Sequence, residues 1–245
     1  MKKIIAFLCM FCGVHAFLFS QTPQDTVYTH EFLELRRADD LKWMTRDQGA
    51  IDRYVDENRK MTDKSCDVLF LGSSSINLWD GIEQDFAPLK IIRRSYGGSA
   101  VRDMLYHYNV IARGYRPRAI VLYVENDLSG DSRHDLTAGE AFDYLRVFVN
   151  RLKRDYKSIP VYMLSYKPSP SRAKMIPKQK LVNALLEEYA SITPDVYFVD
   201  VASSMYDAEG NLREDIYKPD KLHLNRKGYD LWTSILKPLL MQYKQ

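Results

Sequence analysis

The residues best suited to chemistry lie directly after short apolar runs of the chain. The run at 67–71 (DVLFL) is followed by Gly72 and by three serines at 73–75. Near the other end of the chain, Asp220 stands three residues before His223. A serine hydroxyl becomes an effective nucleophile when a histidine takes its proton, and an aspartate can orient that histidine. The residue types therefore permit acyl transfer at a serine, provided that the fold brings these segments together.

The elements that must position these residues alternate along the chain. The β-rich runs lie at 67–71, 90–93, 119–124, 160–165 and 195–201, and the helical patterns lie at 100–113, 136–157, 173–191 and 225–242. Strands that alternate with helices form a parallel sheet through right-handed crossovers, with helices on both faces. The sequence therefore predicts a three-layer α/β/α sandwich with a five-stranded parallel sheet.

Polar residues follow the ends of the predicted strands. In a sheet of this kind, ligands bind at the carboxyl ends of the strands, where the loops gather. The polar segments are 72–75 after the first run, 96–99 after the second, 125–127 after the third, 165–170 after the fourth and 220–223 before the last helix. We expect all of them to meet at one edge of the sheet.

Four of these segments resemble, in order, the motifs of the SGNH (GDSL-type) hydrolases, and the resemblance spans about residues 66–242. The segment FLGSSSINLW is similar to the nucleophile motif of that family, and RRSYGGS, VEND and DKLH are similar to later motifs. The resemblance implies the flavodoxin-like SGNH hydrolase fold. It also implies an enzyme that cleaves carboxylic esters with neither a metal ion nor an organic cofactor.

The resemblance assigns a role to one or two residues in each motif. It implies that Ser74 is the nucleophile, that His223 is its base and that Asp220 orients the base. The backbone N–H groups of Ser74 and Gly98 and the side-chain amide of Asn126 would then form the oxyanion hole.

Neighbouring positions are expected to support these roles. Ser73 is expected to hydrogen-bond the turn, Ser75 to cap the next segment, and Asp127 to make structural hydrogen bonds. Two positions depart from the family pattern, because Val124 stands where the family has glycine and Arg93 where it often has asparagine. We expect Val124 to crowd the pocket or slightly reorient Asn126, and Arg93 to alter a support rather than the chemistry.

The strand-end segments also contain aromatic and basic residues that could hold a substrate. We predict that Trp79, Tyr96, Tyr166, Lys167 and Arg172 bind it, since aromatic faces suit sugar rings and polar groups suit hydroxyls. No long apolar insertion offers a lid or tunnel for a fatty chain. The predicted substrate is thus a small-molecule or glycan ester with a short acyl group, most of all acetyl on a carbohydrate. The alternatives are a carbohydrate O-acyltransferase and a non-catalytic carbohydrate-binding surface protein of the same fold.

The first twenty residues, MKKIIAFLCMFCGVHAFLFS, have a positive start, an apolar centre and small residues near the end. This pattern is typical of a signal peptide, and an uncleaved membrane anchor is the alternative. We therefore expect residues 1–20 to be a signal peptide, 21–65 an N-terminal helical segment packed on the domain, and 66–245 the hydrolase domain. The mature protein would be periplasmic, cell-surface or secreted, with no integral membrane span.

Charge and cysteine content exclude other classes. The chain has 35 Lys and Arg residues, two of them within 1–20, against 32 Asp and Glu residues, so the remainder is nearly neutral. Such a balance gives no sign of nucleic-acid binding. Cys66 is the one cysteine beyond the signal segment, and we expect it to fill space in the core. The sequence indicates no oligomeric state.

Overall fold

The computed structural model describes residues 47–130 and 135–244. The predicted signal peptide lies outside these residues, as do residues 21–46 of the predicted N-terminal segment. The described part of that segment contains helix α1 (Gln48–Lys60), in agreement with its predicted helical character.

Five parallel strands form one sheet, as predicted. Their order across the sheet is β2-β1-β3-β4-β5, which places β1 and β3 side by side. The strands are β1 (Ser65–Gly72), β2 (Ile91–Ser95), β3 (Arg116–Tyr123), β4 (Val161–Leu164) and β5 (Val196–Val199). Each overlaps one of the five β-rich runs.

The other helices follow the predicted alternation, with the pattern at 100–113 divided at His107 into two short helices. The helices are α2 (Ser74–Asn77), α3 (Ile82–Asp85), α4 (Val101–Tyr106), α5 (Tyr108–Ile111), α6 (Ala138–Tyr156), α7 (Ile176–Ile192) and α8 (Arg226–Leu240). Short 3₁₀ turns occur at Asn126–Leu128, Pro170–Met175, Ser203–Met205, Glu214–Ile216 and Met241–Tyr243. None of the described helices is long and apolar enough to cross a membrane.

Local sequence explains where two of the longer helices begin. Thr137 precedes α6 and accepts a hydrogen bond from the backbone N–H of Glu140, while the Glu140 carboxylate accepts one from the N–H of Thr137. This reciprocal pair is a capping box, which satisfies two donors at the helix start. Asn225 caps α8 in a similar way by accepting from the N–H of Gly228.

The core extends over both faces of the sheet. Val68 and Phe70 point to the face that packs against residues of α2, α3 and α8, and the alternate residues Leu69 and Leu71 are also buried. Burial on both faces is the reason that β1 reads as a continuous apolar run. Cys66 lies in this core as predicted, and burial raises the pKa of its thiol to about 12.

Candidate active site

Ser74 is the first residue of α2 and follows the end of β1 by two positions. The turn between them depends on Gly72, because a Cβ atom there would lie 2.3 Å from the carbonyl oxygen of Tyr123 and 2.7 Å from Ile76. Glycine thus allows the short helix to start directly over the sheet. As the first helical residue, Ser74 has a backbone N–H that no carbonyl within the helix accepts.

The two neighbouring serines differ from the expectations placed on them. Ser73 is buried and its hydroxyl has no hydrogen-bond partner among the described residues, but its backbone carbonyl accepts from the N–H groups of Ile76 and Asn77. Ser75 lies within α2 and is buried, so it does not cap that helix. The prediction for Ser75 was wrong because α2 begins at Ser74, two residues before the start that a cap at Ser75 would give. Ser73 bonds the turn through its backbone and not through its hydroxyl. Among the three serines, Ser74 is the one with an accessible side.

Asp220 and His223 form a hydrogen-bonded pair in the loop before α8. The distance from Asp220 Oδ2 to His223 Nδ1 is 2.7 Å, and Asp220 Oδ1 accepts from the backbone N–H groups of Leu222 and His223, each at 2.9 Å. Partial burial alone would raise the pKa of Asp220, but these hydrogen bonds outweigh it and lower the pKa to about 2. The carboxylate is therefore ionised at neutral pH, and Nε2 is the ring nitrogen left for proton transfer.

Helix α8 links the loop that carries His223 to the helix that carries Ser74. The Tyr229 hydroxyl donates a 3.0 Å hydrogen bond to the carbonyl oxygen of Ser75, inside the protein. No hydrogen bond joins the Ser74 hydroxyl to His223 in the described part of the chain. In enzymes without substrate such a contact is often long and tightens when substrate binds.

Asn126 lies at the end of β3, at the start of a 3₁₀ turn. Its side-chain oxygen accepts a 2.9 Å hydrogen bond from Arg172 Nη2, and its Nδ2 donates at 3.0 Å to the carbonyl oxygen of Ser99. The amide NH₂ group has two hydrogens, so one remains to donate to a substrate oxygen. Gly98 is exposed beside this group and has φ +77°, a conformation that side chains other than glycine rarely adopt.

Arg93 supports α2 from a neighbouring strand, which the sequence did not reveal. Its Nη1 lies 3.4, 3.2 and 3.1 Å from the carbonyl oxygens of Ile76, Asn77 and Trp79. The last carbonyls of a helix have no partner within it, so a cation there satisfies them. The expectation that Arg93 alters a support agrees with these contacts, and Val124 is a buried core residue.

The chain is similar to known proteins both in sequence family and in fold. The model of the GDSL-like lipase/acylhydrolase family matches residues 72–231. The chain belongs to this family. A search of curated protein sequences gave no match.

Solved structures show the same fold as this acylhydrolase, each at less than 25% sequence identity. A Streptococcus pneumoniae protein named for platelet activating factor is 23% identical, with a TM-score of 0.70 over 87% of this chain and 99% of its own. A GDSL-like lipase from Bacteroides thetaiotaomicron is 20% identical, with a TM-score of 0.64 over 78% and 97%. A carbohydrate esterase of family 3 from Talaromyces cellulolyticus is 14% identical, with a TM-score of 0.57 over 71% and 96%.

Family membership identifies the reaction class. The family consists of lipases and acylhydrolases, and the chain is accordingly a carboxylic ester hydrolase. The RRSYGGS and VEND segments lie within the matched residues, as do residues 72–79 of the nucleophile segment and Asp220 and His223. The individual roles of Ser74, Gly98, Asn126, Asp220 and His223 remain predictions of the motif resemblance.

Three of the residues predicted to bind substrate are aromatic core residues of the acylhydrolase. Trp79 is 0% exposed, stacks on Tyr229 with 4.9 Å between ring centroids, and donates from Nε1 to Asp85. Tyr96 and Tyr166 are also buried, and Tyr166 lines a cavity at the end of β5. The prediction for Trp79 and Tyr96 was wrong, because their aromatic side chains turn inward, where they remove more apolar surface from water. The role of Tyr166 stays a prediction.

Lys167 and Arg172 contact other residues of the site instead of facing solvent. The Lys167 side chain is 1% exposed, and its Nζ lies 3.0 Å from both Glu125 Oε1 and the carbonyl oxygen of Leu222. Arg172 is 12% exposed and bonds to Asn126. The prediction that Lys167 touches substrate is corrected by this burial. Glu125 was missed as a partner because nothing local in the sequence marks it.

Proposed function

We propose that this acylhydrolase is an exported serine esterase that removes short acyl groups, acetyl above all, from carbohydrate. The observation that carries the proposal is the 2.7 Å hydrogen bond between Asp220 and His223, in a family whose members cleave esters. A histidine with one ring nitrogen held by an ionised carboxylate is suited to take a proton at the other. Ser74, at the start of α2, is the accessible hydroxyl that we assign to it.

In the first half of the reaction, His223 takes the proton of Ser74 as the serine oxygen bonds to the ester carbonyl carbon. The negative charge that forms on the carbonyl oxygen is stabilised by donors at the strand ends. These are the N–H groups of Ser74 and Gly98 and the free hydrogen of Asn126 Nδ2. The bond to the alcohol then breaks, and the leaving oxygen takes the proton from His223.

In the second half, water replaces the alcohol. His223 removes a proton from the water as its oxygen attacks the acyl-serine, and the same donors stabilise the second oxyanion. Breakdown of this intermediate releases the carboxylic acid and returns the proton to Ser74. The cycle needs no group beyond these side chains and the water.

A cavity at the end of β5 is the place that we assign to the carbohydrate part of the substrate, and its lining includes none of Ser74, Asn126 and His223. It has a volume of about 240 Å³ and is lined by aromatic residues, among them Phe198 and Tyr206, and by polar ones such as Lys180. It shares Pro168 with the segment that contacts the His223 loop. Flat apolar faces combined with a few polar groups suit a sugar ring. The fold shared with a carbohydrate esterase supports this substrate by analogy alone.

Export is supported by the sequence of residues 1–20, with its two lysines, apolar centre and small residues. The expected mature protein begins after the cleavage site. Mass spectrometry of the N-terminal peptide from the native source tests this part of the proposal. A chain that retains Met1 and stays in the cytoplasm would contradict export but not the esterase.

The first experiment labels the purified protein with a serine-reactive fluorophosphonate and compares Ser74→Ala with Ser73→Ala and Ser75→Ala. We expect labelling and hydrolysis of p-nitrophenyl acetate to disappear in Ser74→Ala and to persist in the two control variants. A protein that binds glycans but is never labelled would be the non-catalytic alternative. Loss of labelling and hydrolysis in Ser75→Ala alone would identify Ser75, and not Ser74, as the nucleophile.

The second experiment measures kcat/KM for p-nitrophenyl esters from acetate to palmitate, and then acetate release from acetylated xylan and other acetylated glycans. We expect the shortest esters to be best and at least one acetylated glycan to be a substrate. A kcat/KM that rises to eight carbons or beyond would indicate a lipase or thioesterase instead. Transfer of acetyl to an added sugar faster than to water would indicate an acyltransferase.

A further inference from the structure

A buried group of three ionised side chains lies beside the candidate site and has no role in the chemistry above. We call Glu125, Lys167 and Arg172 the ionic cluster. Glu125 Oε1 is 3.0 Å from Lys167 Nζ and 3.6 Å from Arg172 Nη1. Buried charges are costly unless they are paired, and side chains of these types are rarely found inside a protein without a specific reason. The contacts that the two cations make elsewhere indicate the reason.

The Lys167 side of the cluster reaches the loop that carries His223. Lys167 Nζ donates to the carbonyl oxygen of Leu222, the residue directly before His223, at 3.0 Å. Four residues after Lys167, the backbone N–H of Ser171 donates to the carbonyl oxygen of Lys221 at 3.1 Å. The 167–172 segment therefore holds the His223 loop at two adjacent carbonyl groups.

The Arg172 side of the cluster reaches the predicted oxyanion donor. Arg172 Nη2 donates to Asn126 Oδ1 at 2.9 Å, so the amide oxygen faces the guanidinium and the NH₂ group is the other end of the amide. The two ends of an asparagine amide have almost the same shape, and hydrogen bonds decide which end faces which way. In the opposite orientation an oxygen would face the developing oxyanion and repel it.

Glu125 joins the two sides. Burial alone would raise the pKa of Glu125, but the charges of Lys167 and Arg172 outweigh it and lower the pKa. The carboxylate is therefore ionised and attracts both cations to one point. An arginine suits its place because a planar guanidinium can contact the carboxylate and the amide with different nitrogens at once, whereas an ammonium group is a single point of charge.

We propose that Glu125, Lys167 and Arg172 are positioning residues, which orient the Asn126 amide as an oxyanion donor and hold the His223 loop beside it. The inference rests on the proposed function, since it needs Asn126 and His223 in the roles given above. It assigns a supporting role in the reaction to three further residues, two of which belong to the KPSPSR segment at 167–172.

The decisive test is a double-mutant cycle between Arg172→Met and Asn126→Ala, assayed with p-nitrophenyl acetate. Arg172→Met should lower kcat about 10- to 100-fold, part of the 10²–10³ that one oxyanion donor supplies, with KM changed less than about threefold. In a protein that already carries Asn126→Ala, the added Arg172→Met change should lower kcat less than about threefold, because the group that Arg172 orients is gone. The kcat of Arg172→Lys should lie between that of the wild type and that of Arg172→Met. Arg146→Met, which removes an arginine paired with Asp143 on the exposed side of α6, is the matched control.

The outcomes separate this inference from the proposed function. Arg172→Met leaves Glu125 paired with Lys167, so we expect the variant to fold, and its thermal unfolding is measured in parallel. Full additivity of the two losses, or a change in KM alone, would overturn the positioning role while leaving Asn126 as a donor. Normal turnover in Asn126→Ala alone would remove Asn126 from the proposed function, and the inference with it.

The Lys167 side is tested with Lys167→Met, which leaves Glu125 paired with Arg172. We expect kcat to fall at least about tenfold with KM changed less than about threefold, because the contact with the Leu222 carbonyl is missing. Thermal unfolding is measured in parallel, and Glu125→Gln/Lys167→Met, which leaves Arg172 without its carboxylate, should unfold at a lower temperature than Lys167→Met. A kcat within about threefold of the wild type in Lys167→Met would show that Lys167 serves stability alone and would overturn its positioning role.

Discussion

The Asp220–His223 loop and the Glu125–Asp127 segment belong to the same candidate site but are held in opposite ways. The Asp220 side chain is 48% exposed and that of His223 is 22% exposed. The Asp220 carboxylate accepts its hydrogen bonds from Leu222 and His223, two and three residues away. The Asp220–His223 pair is thus oriented by bonds within its own loop, while the 167–172 segment holds that loop from outside at the carbonyl oxygens of Lys221 and Leu222.

The Glu125–Asp127 segment is fixed by residues far away in the chain. Glu125 pairs with Lys167 at a separation of 42 residues, Asn126 bonds to Arg172 at 46, and Asp127 bonds to Val101 at 26. Its side chains are buried or half-buried. An exposed local motif can therefore lose its chemistry without losing the fold, whereas changes in the buried segment should affect both.

The largest effect is expected from Asp220→Asn. Asparagine keeps an oxygen that can accept from the N–H groups of Leu222 and His223, but it replaces the acceptor of the His223 ring proton by a donor. The ring then favours the wrong tautomer, and kcat should fall about 10⁴-fold, as in other enzymes with such a triad. Because Asp220 is exposed, the unfolding temperature should stay close to that of the wild type.

Steady-state kinetics and a thermal melt of the same preparation check this expectation. A loss of only a few-fold would mean that Asp220 does not orient the base. A large fall in melting temperature would mean that the loop is not as self-contained as its hydrogen bonds indicate.

The second effect is expected from Asn126→Ala, in the contrasting segment. Loss of one oxyanion donor should lower kcat by roughly 100- to 1000-fold. The change also leaves the half-buried Arg172 without its amide acceptor, so the free energy of unfolding should fall by about 1–3 kcal/mol. Urea denaturation and steady-state kinetics should thus show a loss of both stability and kcat in Asn126→Ala, but a loss of kcat alone in Asp220→Asn. Equal stability of both variants would remove the distinction between the two regions.

The same contrast explains what the sequence could predict. The five strands are visible because buried parallel strands are continuous apolar runs, and the Asp220–His223 pair is visible because its hydrogen bonds span three residues. The turn at Gly72 is also local, since its need for glycine arises from the strand that it ends. Residue types at strand ends therefore located the site.

Side-chain direction could not be predicted from the same patterns. Trp79 was expected to bind substrate because an aromatic face suits a sugar ring, but it packs against Tyr229 and Trp232, far later in the chain. Lys167 looked like a polar group for substrate, and its partners Glu125 and Leu222 become neighbours only when β3, β4 and the last loop are assembled. Long-range packing, which leaves no local pattern, decided these cases.

The third effect is expected from Asp127→Asn in the buried segment, and it is a change in stability alone. Burial raises the pKa of Asp127 to about 6, against the hydrogen bond from the Val101 N–H and the charge of Arg102, while the charge of Asp103 adds to the rise. The folded state therefore holds this proton more tightly than the unfolded chain, and the wild type loses stability as pH rises from about 4 to about 6. Two pKa units correspond to about 3 kcal/mol.

Asparagine cannot ionise and can still accept from the Val101 N–H, so Asp127→Asn should become more stable relative to the wild type by about 3 kcal/mol between pH 4 and pH 7. Urea denaturation at both pH values measures this change. Asp220→Asn is the matched control, because the pKa of Asp220 is lowered to about 2. The contribution of the ionised Asp220 to the free energy of unfolding is therefore lost only as pH falls below about 4. Its stability relative to the wild type should stay nearly constant between pH 4 and pH 7. A parallel response of the two variants would show that burial does not separate Asp127 from the exposed loop.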